Sequence, residues 1–550
     1  MKQTLNLYWN TLRYLKPTQV RARARHTLLP ARLARPRRLP SPFPRMQKHP
    51  FLPALKRQPS MLARDRFLFL NEEGTLSSPA DWTNPAKTKL WLYNLHYFDD
   101  LSAPHAHERA TWHRALIGQW IAENSPGVGV GWEAYPSSLR IVNWVKWSLA
   151  GNPLTHDAHS SLYLQAQTLA RRLEWHLLGN HILANAKALI FAGLYFSGSG
   201  ADALVTLGQQ IYRDQLGEQI LRDGGHFELS PMYHSILLED VLDLLNIDEA
   251  YGHPLSGAFR RTLRDTAADM RRWLQAMVHP DGEIAFFNDA AFGIAASPSD
   301  IEGYADRLNL PASPAQSQRL PHRLEHLARS GYLRLENADA VALLDCAPIG
   351  PDYLPGHAHA DTLSFEFSLG NERVIVNGGT SVYEDGPTRH RQRSTSAHST
   401  VVVDDENSSE VWRVFRVARR ARIIQLDVQQ PPKLEVTASH DGYERLAGRN
   451  VHTRSWRLDD HRLTVTDHVS GPYASAVALF HFAPNVRVHA RNQAFSGRLT
   501  TGKDRNVTWR ASSQTTSCAS TWHPEFGVSI PATCLAVPLI EGRSQFTLEW

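Results

Sequence analysis

The hydrophobic periodicity of this chain switches near residues 311–322, and that switch limits the fold more than any other feature. Before it, apolar positions recur every three or four residues in segments 108–123, 137–149, 159–178, 182–196, 201–221, 235–246 and 255–278. That spacing gives amphipathic helices. Turns such as Gly151-Asn152-Pro153 and Ser197-Gly198-Ser199-Gly200 separate them. Helices in series with short links predict antiparallel hairpins packed as a bundle, solenoid or toroid. No fixed-period repeat chooses among these. After the switch the period is two, in segments 331–336, 340–345, 362–368, 374–376, 399–403, 421–426, 434–439, 451–458, 462–469, 476–482, 497–501 and 545–550. This predicts an antiparallel β-domain stacked as a sandwich. The expected plan is a basic, proline-rich segment 1–90, a helical domain 91–310, a linker 311–330 and a β-domain 331–550. Chemistry is expected in the cleft between helices and sheets.

The chain has 550 residues, enough for two or three domains without a covalent staple. Its formal charge is only +5, and much of the excess lies in the run from Arg21 to Lys48. That is not the charge pattern of a nucleic-acid-binding body. The run itself reads as a solvated or draped segment, with electrostatic attraction of a polyanion as the second reading. The three cysteines, Cys346, Cys518 and Cys534, read as buried thiols and offer no CxxC pair. No apolar run reaches the ~18 residues of a membrane span, and no ordinary secretion signal is seen. The default expectation is therefore cytoplasmic, with a periplasmic or secreted location left open. Oligomeric state is not legible.

Three stretches carry candidate chemistry. In the first, 179–185, Asn180 and His181 stand at a predicted helix start, where free N–H groups favour negative charge, although Asn is also a common cap. The second, 224–234, has two glycines, Glu228 and a Tyr233-His234 pair opening a helix. The third runs from Pro355 to Asp405. There His357, His359, Asp361, Leu363, Phe365, Phe367 and Leu369 alternate as one face of a strand, apolar at one end and polar at the other. Asn377 and His398 stand at the ends of two further strands. His359, Asn377 and His398 are expected to meet. They would then either bind a metal or form a hydrogen-bonded cluster. Trp132 is a candidate for stacking on a sugar, with a core position as its alternative. The acidic turn Asp281-Gly282-Glu283 and the pair Asn288-Asp289 read as a loop with no assigned role.

Taken together, NHILANAKAL, HFELSPMYH, and GHAHADTLSFEF followed by VIVNGGT and RSTSAHST resemble the heparinase II/III superfamily of polysaccharide lyases, in that order and spacing from about residue 91 to 403. The resemblance implies an N-terminal incomplete (α/α) toroid joined to a C-terminal antiparallel β-sandwich domain. It implies β-elimination on a uronic-acid-containing polysaccharide: heparan sulfate, chondroitin, hyaluronan or alginate. It matches Asn180 to the residue that neutralises the uronate carboxylate, Tyr233 to the catalytic tyrosine and His357 to the catalytic histidine. His359 and His398 match ligands of a structural divalent metal, zinc first and manganese second. Asn377 stands where many relatives have aspartate. Arg393 matches a supporting arginine, and His181, Glu228, His234 and Trp132 are grouped with it as substrate-binding or orienting residues.

Elimination requires such groups. Removing the proton at C5 of a uronate builds charge on its carboxylate, which the Asn180 amide and His181 would stabilise. A base must reach C5 and an acid must reach the leaving oxygen at C4. Tyr233, with an ordinary pKa of ~10, suits the acid and serves as base only where the sugar epimer requires it. His357 is the base for the other epimer. Two other classes compete. A glycoside hydrolase would need paired carboxylates, for which Glu228 and Asp361 are available. A non-catalytic glycan-binding or polysaccharide-assembly protein would keep the fold alone.

Overall fold

A computed structural model describes residues 2–28, 43–311, 322–429, 431–489 and 494–550. Its N-terminal half is an incomplete (α/α) toroid and its C-terminal half is a stack of antiparallel sheets. The helices that position the site are Lys89–Tyr97, Ala134–Leu149, Gly179–Tyr195 and Pro231–Ala250. Gly179–Tyr195 is buried nearly all round because it is the central helix of this half, and its apolar run Ala184–Leu194 is broken only by Asn185, Lys187 and Gly193. Pro231–Ala250 starts with a Ser230 side-chain cap on the Tyr233 N–H, followed by Pro231 in the first turn, which fixes where Tyr233 points.

The β-half contains three main sheets. The first is a meander of five strands in sequence order, from His322–Leu327 to Glu372–Ile375. An eight-stranded sheet and a four-stranded sheet enclose the β-core around Trp456, Phe480 and Phe546. A separate apolar seam joins the halves. Leu229, Trp273, Met277 and Phe287 from the helical side pack on Leu327, Tyr332, Val341 and Leu343 of the five-stranded sheet. The seam sets the spacing of groups facing each other across it.

The structure revises several boundaries. The strand His322–Leu327 belongs to the first sheet, so the β-domain begins earlier than residue 331; residues 312–321 of the expected linker lie outside the described residues. The N-terminal segment holds two helices, Lys2–Leu12 and Pro17–Leu28, and a hairpin of Arg66–Phe69 with Glu72–Thr75. Its stretch 29–42 lies outside the described residues. The alternating run at 357–369 becomes a strand only at Phe365–Leu369. Before that the backbone is irregular, and Leu363 has φ 61°, so the polar residues reach their partners from a loop. Cys346 and Cys534 are buried, as expected, but Cys518 is exposed because its strand, Thr516–Trp522, forms a sheet edge. Among the described residues no helix is long and apolar enough to cross a membrane.

Several histidines are buried neutral. His96 is wholly buried between the Trp120 indole N–H at 3.0 Å and the Trp82 carbonyl at 3.0 Å, and burial pushes its pKa down to about 3. Its folded pKa lies below the unfolded ~6.5, so the unfolded chain binds more protons between those values and stability falls as pH drops through that window. The stability gap between wild type and His96→Gln, measured by urea unfolding, is expected to narrow by about 1.4 kcal/mol per pH unit below pH ~6.5. A gap that stays constant from pH 6.5 to 5 would contradict the buried neutral state.

Candidate active site

The site is built around Asp289, a residue of the loop after the seam that is fully buried. Its carboxylate accepts from His357 Nδ1 at 2.9 Å, His359 Nε2 at 2.8 Å, Thr380 Oγ1 at 3.1 Å and Arg389 Nη2 at 2.7 Å, with Arg389 Nη1 closing a bidentate pair. Burial alone would raise this carboxyl. Arg389 and the imidazole donors outweigh burial and hold it well below the usual carboxylate range. The anion therefore orients both imidazoles through N–H donation, as a buried carboxylate orients a catalytic histidine.

The loop is clamped from both halves. Asp289 N–H donates to the His357 carbonyl at 3.0 Å, and Ser230 Oγ donates to the Asp289 carbonyl at 2.6 Å. Asn288 donates its side-chain amide to the Leu229 carbonyl and accepts from the His359 N–H, at 2.9 and 3.0 Å. Leu178, Leu229, Asn288 and Leu363, each beside or near a site residue, all have positive φ. Strain of this kind in non-glycine residues persists where the surroundings over-determine the backbone.

Asn180, Tyr233 and His357 come together. The His357 ring stacks on Tyr233 with centroids 3.9 Å apart, and its Nε2 lies 3.4 Å from Glu228 Oε2. Glu228 in turn accepts from the Asn180 backbone N–H at 3.1 Å and its side-chain amide at 3.3 Å. Gly179 makes this approach available: its φ is +57°, and a Cβ there would stand 2.5 Å from Glu228 Oε1. The Tyr233 hydroxyl meets the Tyr383 hydroxyl at 3.0 Å, and burial, then Tyr383 and Asp289, push the phenol well above its ordinary pKa. Tyr233 and His357 stay half-buried and open to the gap. His181 is also half-buried. Its Nδ1 lies 3.2 Å from Glu174 Oε1, and its pKa is raised because Glu174 outweighs the effect of burial.

Three expected substrate contacts are placed elsewhere. Trp132 is in the core, tilted against Trp120, with its indole N–H on the Asn124 carbonyl. His234 is fully buried, and its ring nitrogens meet the His226 N–H and the Met270 carbonyl. Arg393 is buried and gives its donors to the carbonyls of Ala358, Arg413 and Val414, so it fixes the His357 loop and does not reach the gap. Glu228 is buried too, and it joins His357 to Asn180. Sequence reasoning missed Asp289, Arg389 and Tyr383. The available signal was an acidic residue in a loop facing an arginine-rich run, 387–393, with no acid inside it.

His359 Nδ1 and His398 Nε2 face each other at 3.2 Å, and an Asp361 carboxylate oxygen lies within 4.8 Å of both. The outer nitrogens are engaged: His359 Nε2 donates to Asp289, and His398 Nδ1 donates to Asn377 Oδ1 at 3.2 Å. Burial pushes these imidazoles down to about 4 and about 3, so both are neutral at pH 7 and two lone pairs face each other. That is a repulsive contact unless a cation lies between, and two imidazoles with a carboxylate form a zinc-type donor set. The residues present thus fit a divalent metal. Asn377 meets the far side of His398 and orients that ring, while Asp361 lies on the side where the two imidazoles face each other.

Comparison with known proteins follows the same division of the chain. Residues 150–306 match the family model described as heparinase II/III N-terminus, and residues 319–543 match heparinase II/III-like, C-terminal. A heparin-sulfate lyase of Bacteroides stercoris is 24% identical over 325 residues, covering 56% of this chain and 46% of the relative. One of Pedobacter heparinus is 25% identical over 250 residues, covering 42% and 36%. The matched region thus spans less than half the length of these curated relatives. Among solved structures, a heparinase III has a TM-score of 0.68 at 14% identity over 88% of this chain and 79% of that one. Heparan sulfate lyase HepC from Pedobacter heparinus has 0.58 at 17% identity over 90% and 83%. These likenesses establish the fold.

Breaking the central pair tests the description of the site. Asp289→Asn leaves the buried Arg389 charge without its counter-ion and is expected to cost ~3–5 kcal/mol of stability. Asp289→Asn combined with Arg389→Met should recover a substantial part of that loss in denaturant unfolding. Additive losses in the double variant would show that the two residues do not act as a pair.

Proposed function

The chain belongs to the heparinase II/III superfamily, and from that premise we propose that it is a lyase that cleaves a uronic-acid-containing polysaccharide by β-elimination. The observation that carries this reading is the single cluster in which His357 stacks on Tyr233 while Glu228 joins it to Asn180. The relatives named heparin-sulfate lyase point to a glycosaminoglycan as the first substrate to try.

In this reading the uronate carboxylate takes up a side-chain N–H of Asn180, with His181 beside it as a second donor. These groups stabilise the charge that grows when C5 loses its proton. His357 gives its Nδ1–H to Asp289, so Nε2 is the nitrogen that takes the proton. Tyr233 is held protonated by its surroundings, which suits an acid that delivers a proton to the leaving oxygen at C4. A hydrolase reading finds less support. Asp361 is buried behind His359, so Glu228 has no second carboxylate across the gap from that position.

The test is ultraviolet absorbance during incubation with heparan sulfate, chondroitin, hyaluronan and alginate. Wild-type protein should build the conjugated unsaturated uronate on at least one of them, and Tyr233→Phe should lower kcat by ~100-fold or more. New reducing ends without the chromophore would mean hydrolysis; full activity in Tyr233→Phe would remove the acid from this scheme.

The same reading gives the metal a structural role. A divalent ion, zinc first by ligand chemistry, would be held by His359, His398 and Asp361 and would supply a cross-link between the His357 loop and the strand ends behind it. Elemental analysis of purified protein should find about one ion per chain, lost in His398→Ala together with several degrees of melting temperature. A metal-free protein whose melting is indifferent to both zinc and chelator would contradict this.

A further inference from the structure

We propose that the N-terminal helical arm, residues 2–28, is a polyanion-binding wall of the cleft, with Arg21, Arg23 and Arg25 holding the acidic polysaccharide beyond the catalytic centre; this rests on the lyase reading above. The arm lies outside both matched family segments.

The arm touches both sides of the site. On the β-side, Tyr8 of the helix Lys2–Leu12 stands edge-on to Trp412 at 5.0 Å. Thr11 accepts from the Trp412 indole at 3.1 Å and donates to the Val417 carbonyl at 3.3 Å. The loop it grips is the one whose Val414 carbonyl accepts from Arg389 and Arg393, and whose exposed Phe415 stands 6.0 Å from the His357 ring. Next along the arm, the Lys16 ammonium lies over the Tyr353 ring of the β-half at 4.0 Å and pairs with Glu218 of the helical half, and Gln19 donates to the Tyr353 carbonyl at 3.2 Å. About 10 Å further along the helix axis from Gln19, on the helical side, His26 stacks on His176 at 4.6 Å. His176 stands four residues before Asn180. The second helix therefore runs along the rim beside the residues that open the Asn180 helix.

Charge identifies the occupant. The sequence has no Asp or Glu before Asp65, whereas fifteen of its 59 Lys and Arg residues precede that position. The acids of the helical wall are already partnered: Asp240 with Lys187, Glu174 with His181, Asp99 with the Asn143 amide and Glu228 with the Asn180 amide. Arg21, Arg23 and Arg25 are exposed, and none makes an ion pair among the described residues. On this helix Arg21 and Arg25 share one face and Arg23 stands on the opposite one, where its charge bears on His176, so guanidinium groups flank the rim on two sides; such unpaired groups suit carboxylate or sulfate groups repeated along a chain. An anionic membrane surface is the competing occupant, since Leu5, Trp9 and Leu12 on the first helix are exposed. The position of Arg23, whose charge bears on His176, favours the polymer.

The test reads binding without turnover. Full-length His357→Ala protein is compared with the same protein carrying R21A/R23A/R25A or R21K/R23K/R25K, on immobilised heparan sulfate, hyaluronan and alginate, and on phosphatidylglycerol-containing vesicles. The alanine set should weaken polymer binding ~10-fold and flatten its salt dependence, while the lysine set keeps most of both. Unchanged melting temperatures confirm that each variant folds. Polymer binding unaffected by the alanine set, loss of vesicle binding alone, or no binding to any of the three polymers by the parent would overturn the proposal. Failure of the lyase reading would show separately, as wild-type protein that binds polymer but forms no unsaturated product.

Discussion

A single buried ion pair, Asp289 with Arg389, organises the meeting of the two halves. A carboxylate and a guanidinium removed from water are costly, and they persist only where geometry and further hydrogen bonds compensate. Here the compensation is dense. Thr380 and two imidazole N–H groups fill the remaining acceptor sites of the carboxylate, while Arg389 Nε reaches the Val414 carbonyl. The pair consequently fixes which nitrogen of His357 and which nitrogen of His359 carries a proton. One ring is turned to the gap and the other to the donor set behind it, so the proposed reaction centre and the proposed metal centre share one anion.

The helical half enters this arrangement through backbone geometry as much as through side chains. Gly179 and Leu178 take up positive φ so that Asn180 opens its helix directly against Glu228, and Leu229 does the same on the next segment. The Ser230 cap then directs Tyr233 across the seam onto the His357 ring. The apolar contact of Trp273 and Phe287 with Tyr332 and Leu343 sets the distance over which these polar groups must agree. The strain at the site is borne by that packing.

The sequence made the two-part architecture legible because helical and β periodicities occupy separate stretches of chain, and it made Asn180, Tyr233, Glu228 and His357 legible because they sit in compact motifs. It did not reveal Asp289 or Arg389. Each is an ordinary residue in an irregular segment, and their partnership spans 100 positions. The alternation at 357–369 misled for a related reason: hydrogen bonds exchanged with Asn288, Asp289 and Arg393 hold the first half of that run in a loop and override its strand pattern. Trp132 and His234 were ambiguous in sequence, and burial decided both. Spacing along the strands grouped Asn377 with His359 and His398 but could not tell which side of a ring a neighbour meets: Asn377 Oδ1 meets His398 Nδ1, the nitrogen turned away from His359.

The central claim is that an amide and a phenol from the toroid and an imidazole from the sheets address one sugar. The most direct measurement is a crystal structure of Tyr233→Phe with a uronate oligosaccharide bound. The account predicts a uronate carboxylate on the Asn180 amide, with C5 facing His357 Nε2 and the O4 bridge facing the position of the missing phenol oxygen. An oligosaccharide seated away from this gap, or one whose carboxylate avoids Asn180, would contradict it.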